Sequence, residues 1–249
     1  GLSCAYYLAL TGYKPTIFEK NEEPGGMLRY GIPSYKLEKD LLAAEIDVIR
    51  ELGVEIRCGV EIGKDITIEE LREQGYKGFY VAIGCQRGRK PGITGENAKG
   101  TYAAVDFLRE AGAKESFALE GDVVVVGGGN VAIDAARISS RCVDAKISMF
   151  CLEQREHMPA SKLNCGWGPK EVLEENGKVT GVVFKKCTRV LDEQGRFSPE
   201  YDEEQTVTIP CKHVIFSVGQ AIEWGDMLDN LDLKRRPNGG ALADKLTYQ

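Results

Sequence analysis

The apolar residues of this chain follow two rhythms. A three-to-four spacing predicts amphipathic helices, and short continuous β-branched runs predict strands buried on both faces of a parallel sheet. Small and apolar residues fill 1–10 until Thr11-Gly12 ends them, which predicts a helix leading into a short buried strand, Pro15-Thr16-Ile17-Phe18-Glu19. Over 37–52 the apolar positions Leu41, Leu42, Ile46, Ile49 and Leu52 recur at helical spacing, and Gly53 stops the helix. Val54-Glu55-Ile56-Arg57 reads as a strand, 68–74 as a helix, and Gly78-Phe79-Tyr80-Val81-Ala82-Ile83-Gly84 as a buried strand ending in glycine. Between these, Glu23-Pro24-Gly25-Gly26-Met27-Leu28-Arg29-Tyr30-Gly31-Ile32-Pro33 has neither period and reads as a shaped loop.

A charged, turn-rich boundary at 87–93 opens a second unit with the same alternation. There 102–111 reads as a helix, 123–126 as a buried strand, 130–141 as a helix and 145–151 as the next strand. Residues 171–184 predict a hairpin turning at Asn176-Gly177, 206–209 adds a strand, and 213–219 is a buried strand ending in glycine, as 78–84 is. Strand and helix alternating in both halves predict an α/β protein with two dinucleotide-binding, Rossmann-like domains.

The candidate chemistry gathers on Gly127-Gly128-Gly129-Asn130-Val131-Ala132, which has a β-branched strand before it and a helix after it. Gly127 permits the sharp turn, Gly129 lets a phosphate approach the backbone, and Ala132 keeps helix and strand close. Amides at the helix start then face a diphosphate, and the helix dipole adds to the attraction. Glu153 follows the next strand, where a carboxylate accepts hydrogen bonds from both adenosine ribose hydroxyls, so NAD(H) is expected in preference to NADP(H). Arg155, two residues on, is placed to reach a 2'-phosphate. Glu19 stands at the same point of the first unit, which makes it the ribose acid of a second nucleotide.

Composition narrows the partners. Acidic residues outnumber basic ones by 38 to 32, for a net charge of -6, and no basic run interleaves with aromatics, which argues against nucleic acid. No apolar stretch reaches the length of a membrane span and no secretion signal opens the chain, so a cytoplasmic location is expected. The 29 glycines point to many tight turns. None of the eight cysteines forms a C-x-x-C pair, and most read as small hydrophobes in apolar surroundings. His157 and His213 are too isolated for a metal site.

Together, Gly25-Gly26-Met27-Leu28-Arg29-Tyr30-Gly31-Ile32-Pro33, Gly127-Gly128-Gly129-Asn130-Val131-Ala132-Ile133-Asp134, Met158-Pro159-Ala160 and Ser217-Val218-Gly219-Gln220 resemble the small-subunit family of glutamate synthase. That group, within the pyridine nucleotide-disulfide oxidoreductase folds, includes the flavin half of dihydropyrimidine dehydrogenase and related ferredoxin-NAD(P)H reductases. The resemblance implies an FAD-binding domain over 1–91 and 214–249, with an NAD(P)H-binding domain, 92–213, inserted into it. It implies that Gly1, Glu19, Gly25, Gly26, Leu28, Arg29, Gly31, Val60 and the segment from Ala82 to Gly84 lie along FAD. Gly127, Gly128, Gly129, Asn130, Val131 and Glu153 would hold the nicotinamide cofactor, and Gly219 would return the chain to the flavin.

By the same resemblance, hydride passes from nicotinamide to FAD, and electrons leave singly for iron-sulfur clusters on a domain upstream or on another chain. The cofactors carry that chemistry, so no acid-base residue is expected. NADPH-using members carry adjacent arginines where Leu152-Glu153 stand, which again favours NAD(H). Gly1 is expected to be the last glycine of a G-x-G-x-x-G whose earlier part lies outside these residues, and the family's closing Gly-Asp segment lies outside them too. The alternatives are a fragment that binds nucleotide without turnover, and a dithiol-disulfide reductase, which the missing C-x-x-C disfavours.

Overall fold

A computed structural model of the chain describes residues 1–114, 117–154, 163–227, 229, 231, 234–236 and 239–243. The chain divides into two compact units, Gly1–Arg87 with Ala221–Gln249, and Gly88–Gln220. The second is thus inserted into the first along the sequence.

In the first unit the helix α1 (Leu2–Leu10) leads to β1 (Thr16–Glu19), which pairs in parallel with β2 (Glu55–Cys58), Thr16 opposite Glu55. β1 is half-buried, not fully buried as its sequence suggests. Between the strands lie α2 (Met27–Tyr30) and α3 (Lys39–Glu51), the latter burying Leu42 and Ile46 at the predicted spacing. The glycine-rich stretch expected to be all loop therefore contains one helical turn. It starts at Gly26, whose φ of 53° glycine adopts without strain. After β2, α4 (Ile68–Glu73) opens with a capping box, in which the Thr67 hydroxyl accepts from the Glu70 N–H and the Glu70 carboxylate accepts from the Thr67 N–H. The run 78–84 departs from expectation. It forms no strand and is largely exposed, because no described strand offers it hydrogen-bond partners.

The chain passes between the units at the short strands β3 (Arg87–Gly88) and, on its return, β12 (Gln220–Ala221). The second unit holds a five-stranded parallel sheet in the order β4-β11-β5-β6-β7. These strands are β4 (Thr101–Ala103), β5 (Val123–Val126), β6 (Ile147–Cys151), β7 (Leu163–Cys165) and β11 (His213–Phe216). The helix read over 102–111 begins later than expected, since 101–103 are drawn into the sheet beside β11 and α5 spans Ala104–Ala113. α6 (Asn130–Cys142) follows β5 directly.

The uninterrupted valine run of β5 is explained by its two covered faces. Val123 and Val125 pack with Phe107, Leu108, Ala132 and Ala135 of α5 and α6. Val124 and Val126 face an antiparallel meander of β8 (Trp167–Glu175), β9 (Lys178–Leu191) and β10 (Phe197–Pro210). The predicted turn joins β8 to β9, with φ of 51° at Asn176 and 73° at Gly177, the backbone that Asn-Gly supplies at a two-residue hairpin. The second unit ends at Gln220, not at 213, because β11 is hydrogen-bonded between β4 and β5. Among the described residues no helix is long and apolar enough to cross a membrane.

Candidate functional site

Strand β5 ends in a sharp turn that only glycine fills. The Gly127 N–H donates to the Phe150 carbonyl at 2.7 Å, its φ is +132°, and a Cβ there would lie 2.5 Å from the Ser217 carbonyl oxygen. The turn is thus pinched between the ends of β6 and β11. Gly129, the N-cap of α6, has the opposite surroundings: a Cβ on it would meet nothing within 4 Å. The first amides of a 13-residue helix therefore open onto free space, the arrangement that accepts a diphosphate. Ala132 is fully buried, where it keeps α6 against the sheet.

A cleft of about 210 Å³ lies at this corner, lined by Gly129, Asn130, Val131, Ser217, Gly219 and others. The structure brings Gly219 together with the glycine turn, inside the second unit. There its carbonyl accepts the Arg89 N–H at 3.0 Å, and its φ is +102°. Gly88 and Val105 also line the cleft and were not found from the sequence. The Gly88 signal lies in packing, because a Cβ there would run into Ala103.

Glu153 is exposed just beyond β6. Its carbonyl accepts the Gly166 N–H at 3.0 Å and faces the Cys151 thiol at 3.8 Å, so the backbone under the acid is fixed while its carboxylate reaches solvent. Arg155, His157 and the Met158-Pro159-Ala160 motif lie outside the described residues. The expectation of eight separate cysteines is corrected at this strand end. Cys151 and Cys165, distant in sequence, stand on neighbouring strands with their sulfurs 3.8 Å apart. Sequence spacing misses them because the pairing is made by sheet register.

In the first unit the structure collects most of the expected residues into local groups. A Cβ on Gly1 would lie 3.5 Å from that of Ala82. Gly26 and Gly84, with φ of +53° and +64°, both look onto the Gln86 carboxamide, at 3.7 and 3.3 Å from where their Cβ atoms would be. The Glu19 carboxylate accepts the Asn21 backbone N–H at 2.9 Å and its side-chain amide at 2.6 Å, while the Glu19 carbonyl accepts the Val60 N–H at 3.1 Å. At Gly31 a Cβ would meet the flexible end of the Met27 side chain. Leu28 is exposed, and its carbonyl accepts from Lys39 Nζ at 2.8 Å.

Arg29 is occupied within its own loop. Its Nε donates to the Pro24 carbonyl at 3.1 Å and its Nη1 pairs with Glu23 at 2.5 Å. Lys39, which sequence reasoning missed, also donates to the Ile32 carbonyl at 2.5 Å, closing both sides of the turn. Burial foremost, and the Arg29 guanidinium beside it, hold the Lys39 ammonium below its usual pKa. The Tyr30 hydroxyl accepts the Glu23 N–H and donates to the Glu23 carbonyl, and burial pushes its pKa up. The loop is thus preformed by its own polar groups.

The family model described as pyridine nucleotide-disulphide oxidoreductase matches residues 1–247. The chain belongs to that family. Membership carries FAD and a nicotinamide dinucleotide as cofactors, and the residues present fit both. The open amides at Gly129 suit a diphosphate, and in the first unit the positive-φ glycines Gly26 and Gly84 stand together beside the Gln86 carboxamide.

Among similar proteins, the beta subunit of an NADPH-Fe(3+) oxidoreductase of Geobacter sulfurreducens is 36% identical over 94% of this chain and 37% of its own length. The beta subunit of an NADP(+)-dependent formate dehydrogenase of Moorella thermoacetica is 34% identical over 95% of this chain and 36% of its own length. The glutamate synthase [NADPH] small chain of Halomonas elongata is 31% identical over the whole of this chain and 59% of its own length. The chain thus spans between about a third and three fifths of these relatives. Among solved structures, Mycobacterium tuberculosis FprA in complex with NADPH superposes with a TM-score of 0.71 at 17% identity, covering 100% of this chain and 71% of that one. Thioredoxin reductase of T. acidophilum gives 0.62 at 21% identity, covering 98% and 82%. These likenesses show the two-Rossmann fold.

Proposed function

We propose that this chain is the nucleotide-binding part of a flavoprotein that oxidises a nicotinamide dinucleotide and passes electrons onward, a reading supported by relatives named glutamate synthase [NADPH] small chain and NADPH-Fe(3+) oxidoreductase subunit beta. The observation that carries the reading is the Gly127–Gly129 turn with its open helix start. On this reading the second unit holds the nicotinamide cofactor, through Gly127, Gly128, Gly129, Asn130 and Val131, with Glu153 on the adenosine ribose. The first unit holds FAD along Gly1, Glu19, Gly25, Gly26, Gly31, Val60, Ala82 and Gly84.

Bound FAD would supply a hydride acceptor able to pass electrons on singly. The chain's own residues bind and orient. The α6 amides fix the diphosphate, the small residues Gly88, Gly129 and Gly219 leave the cleft open for a planar group, and the preformed loop at 23–33 costs little ordering on binding. The receiving iron-sulfur centre belongs to a domain upstream or to a partner chain. Among the described residues no cluster of His, Cys, Asp and Glu is placed to hold a metal ion.

NAD(H) is the proposed preference, because an exposed carboxylate at Glu153 accepts ribose hydroxyls and repels a 2'-phosphate. The relatives named above are NADPH or NADP(+) enzymes, which makes coenzyme choice the sharpest point to measure. We place the protein in the cytoplasm. The test is anaerobic titration of the purified chain with FAD, then with NADH and NADPH, following the flavin absorbance. Uptake of FAD and bleaching at lower NADH than NADPH is expected. No flavin uptake sinks the flavin reading, and bleaching by NADPH alone sinks the role of Glu153.

A further inference from the structure

Cys151 ends β6 and Cys165 ends β7, and the two are register partners on adjacent parallel strands, with sulfurs 3.8 Å apart. Neighbouring strands run about 4.8 Å apart, within the roughly 4.4–6.8 Å Cα separation that a disulfide spans. Register partners also present their side chains on the same face of the sheet. Closing the bond therefore requires side-chain rotation, with the strands already in place.

The two thiols differ in access. Cys151 is buried, 1% exposed, and burial foremost, then Cys165 beside it, pushes its pKa up to about 12. Cys165 is only half-buried. The pair thus has a more exposed thiol, Cys165, and a buried one, Cys151. It also sits under Glu153, whose carbonyl faces the Cys151 thiol and accepts the Gly166 N–H one residue beyond Cys165.

We propose that Cys151 and Cys165 form a disulfide on reaction with hydrogen peroxide, and that the bridge resets the strand end carrying Glu153. Cys165 sulfur attacks one peroxide oxygen. The O–O bond breaks, Cys165 becomes a sulfenic acid, and the other oxygen leaves as water with the thiol proton. Cys151 sulfur then attacks Cys165 sulfur, the S–S bond forms as the S–O bond breaks, and the hydroxyl leaves as water with the Cys151 proton. Two electrons pass from the thiols to the peroxide, giving one disulfide and two waters. The 3.8 Å separation makes the second step an intramolecular reaction between held groups, which favours it over further oxidation. Bridge formation removes the Cys151 S–H that faces the Glu153 carbonyl, leaving Gly166 as the donor there. The effect on coenzyme rests on the assignment of Glu153 to the adenosine ribose; the bridge does not.

The experiment treats the full chain with graded hydrogen peroxide, blocks free thiols with iodoacetamide under denaturing conditions, and maps a non-reducing tryptic digest. Trypsin releases Cys151 in 147–155 and Cys165 in 163–170. A linked pair of these peptides, about 2 Da lighter than their sum and absent in Cys165→Ser, is the expected result. Both peptides alkylated, or Cys165 driven to sulfinic acid without linkage, overturns the proposal. NADH affinity of the oxidised chain is expected to fall about tenfold, consistent with a disturbed charged hydrogen bond, and to return with dithiothreitol. An unchanged affinity with the bridge in place overturns the coupling. A reduced chain that does not bind NADH fails the function reading, while the peptide map still decides the bridge.

Discussion

A Cβ on Gly127 would lie 2.5 Å from the carbonyl oxygen of Ser217, so the turn after β5 and the end of β11 leave no room for a side chain between them. The obstacle is backbone, which has no rotamer to yield. Gly127 also holds a φ of +132°, outside the range of other residues. Gly127→Ala is therefore expected to lose about 1–3 kcal/mol of stability from strain alone, measured by urea unfolding. NADH affinity should fall with it. Gly129→Ala, in open space at ordinary φ, should unfold like the parent and still bind NADH more weakly. Equal unfolding midpoints for Gly127→Ala and the parent would contradict the packing account.

A stacked aromatic pair lies at the centre of the packing between the meander and the parallel sheet. The rings of Phe150 on β6 and Phe184 on β9 lie 4.1 Å apart at 15°, and Phe184 is fully buried among Val124, Val126, Val182 and Phe216. Truncation leaves a cavity between two sheets that cannot both close on it. Phe184→Ala is expected to cost about 3–5 kcal/mol, read by chemical denaturation, and Phe184→Leu much less. A loss under about 1 kcal/mol would mean that the meander is held elsewhere.

What the sequence discloses follows from which contacts are local. The valine run of β5, the Asn176-Gly177 turn and the helical spacing of α3 are local, and the structure bears each of them out. The placement of 101–103 in the sheet, and of β11 between β4 and β5, depends on pairing across 113 and 90 residues, which no periodicity records. The run 78–84 has strand composition but no described partner, and composition alone cannot supply one. At the site, the glycines were legible because φ restricts residue type. Lys39 and Gln86 were not, since a side chain that reaches over a neighbouring loop leaves no mark in spacing. The Cys151–Cys165 contact was hidden for the same reason as the sheet order.

His213 at the start of β11 has a buried Nδ1 without a hydrogen-bond partner among the described residues. Burial lowers its pKa below the ordinary 6.5, against smaller opposing pulls from the Gly100 and Glu120 backbone and the Glu120 charge. The folded chain therefore binds fewer protons here than the unfolded chain once pH drops below 6.5, so this residue's contribution to stability is present above that value and is lost as pH falls toward the lowered one. Unfolding free energy followed from about pH 7 to about pH 5 should decline less steeply in His213→Leu than in the parent. Parallel profiles would show that the imidazole is not desolvated as described.

On the reading proposed above, coenzyme choice turns on the exposed carboxylate of Glu153, just after β6. Glu153 carries no ion-pair partner among the described residues, and its backbone is fixed through Gly166, so a replacement side chain starts from the same place. A guanidinium there loses the acceptor for the ribose hydroxyls and gains a bidentate donor for a 2'-phosphate. Glu153→Arg is expected to weaken NADH binding about tenfold and to strengthen NADPH binding by a similar factor, so that the ratio of the two dissociation constants reverses. Glu153→Gln separates the two effects, since it removes the repulsion while keeping a ribose acceptor, and should bind both coenzymes with smaller discrimination. Fluorescence titration of each variant with both nucleotides decides the matter. If the ratio is the same in all three proteins, the 2'-position is read by other residues, and the NAD(H) preference argued from Glu153 falls.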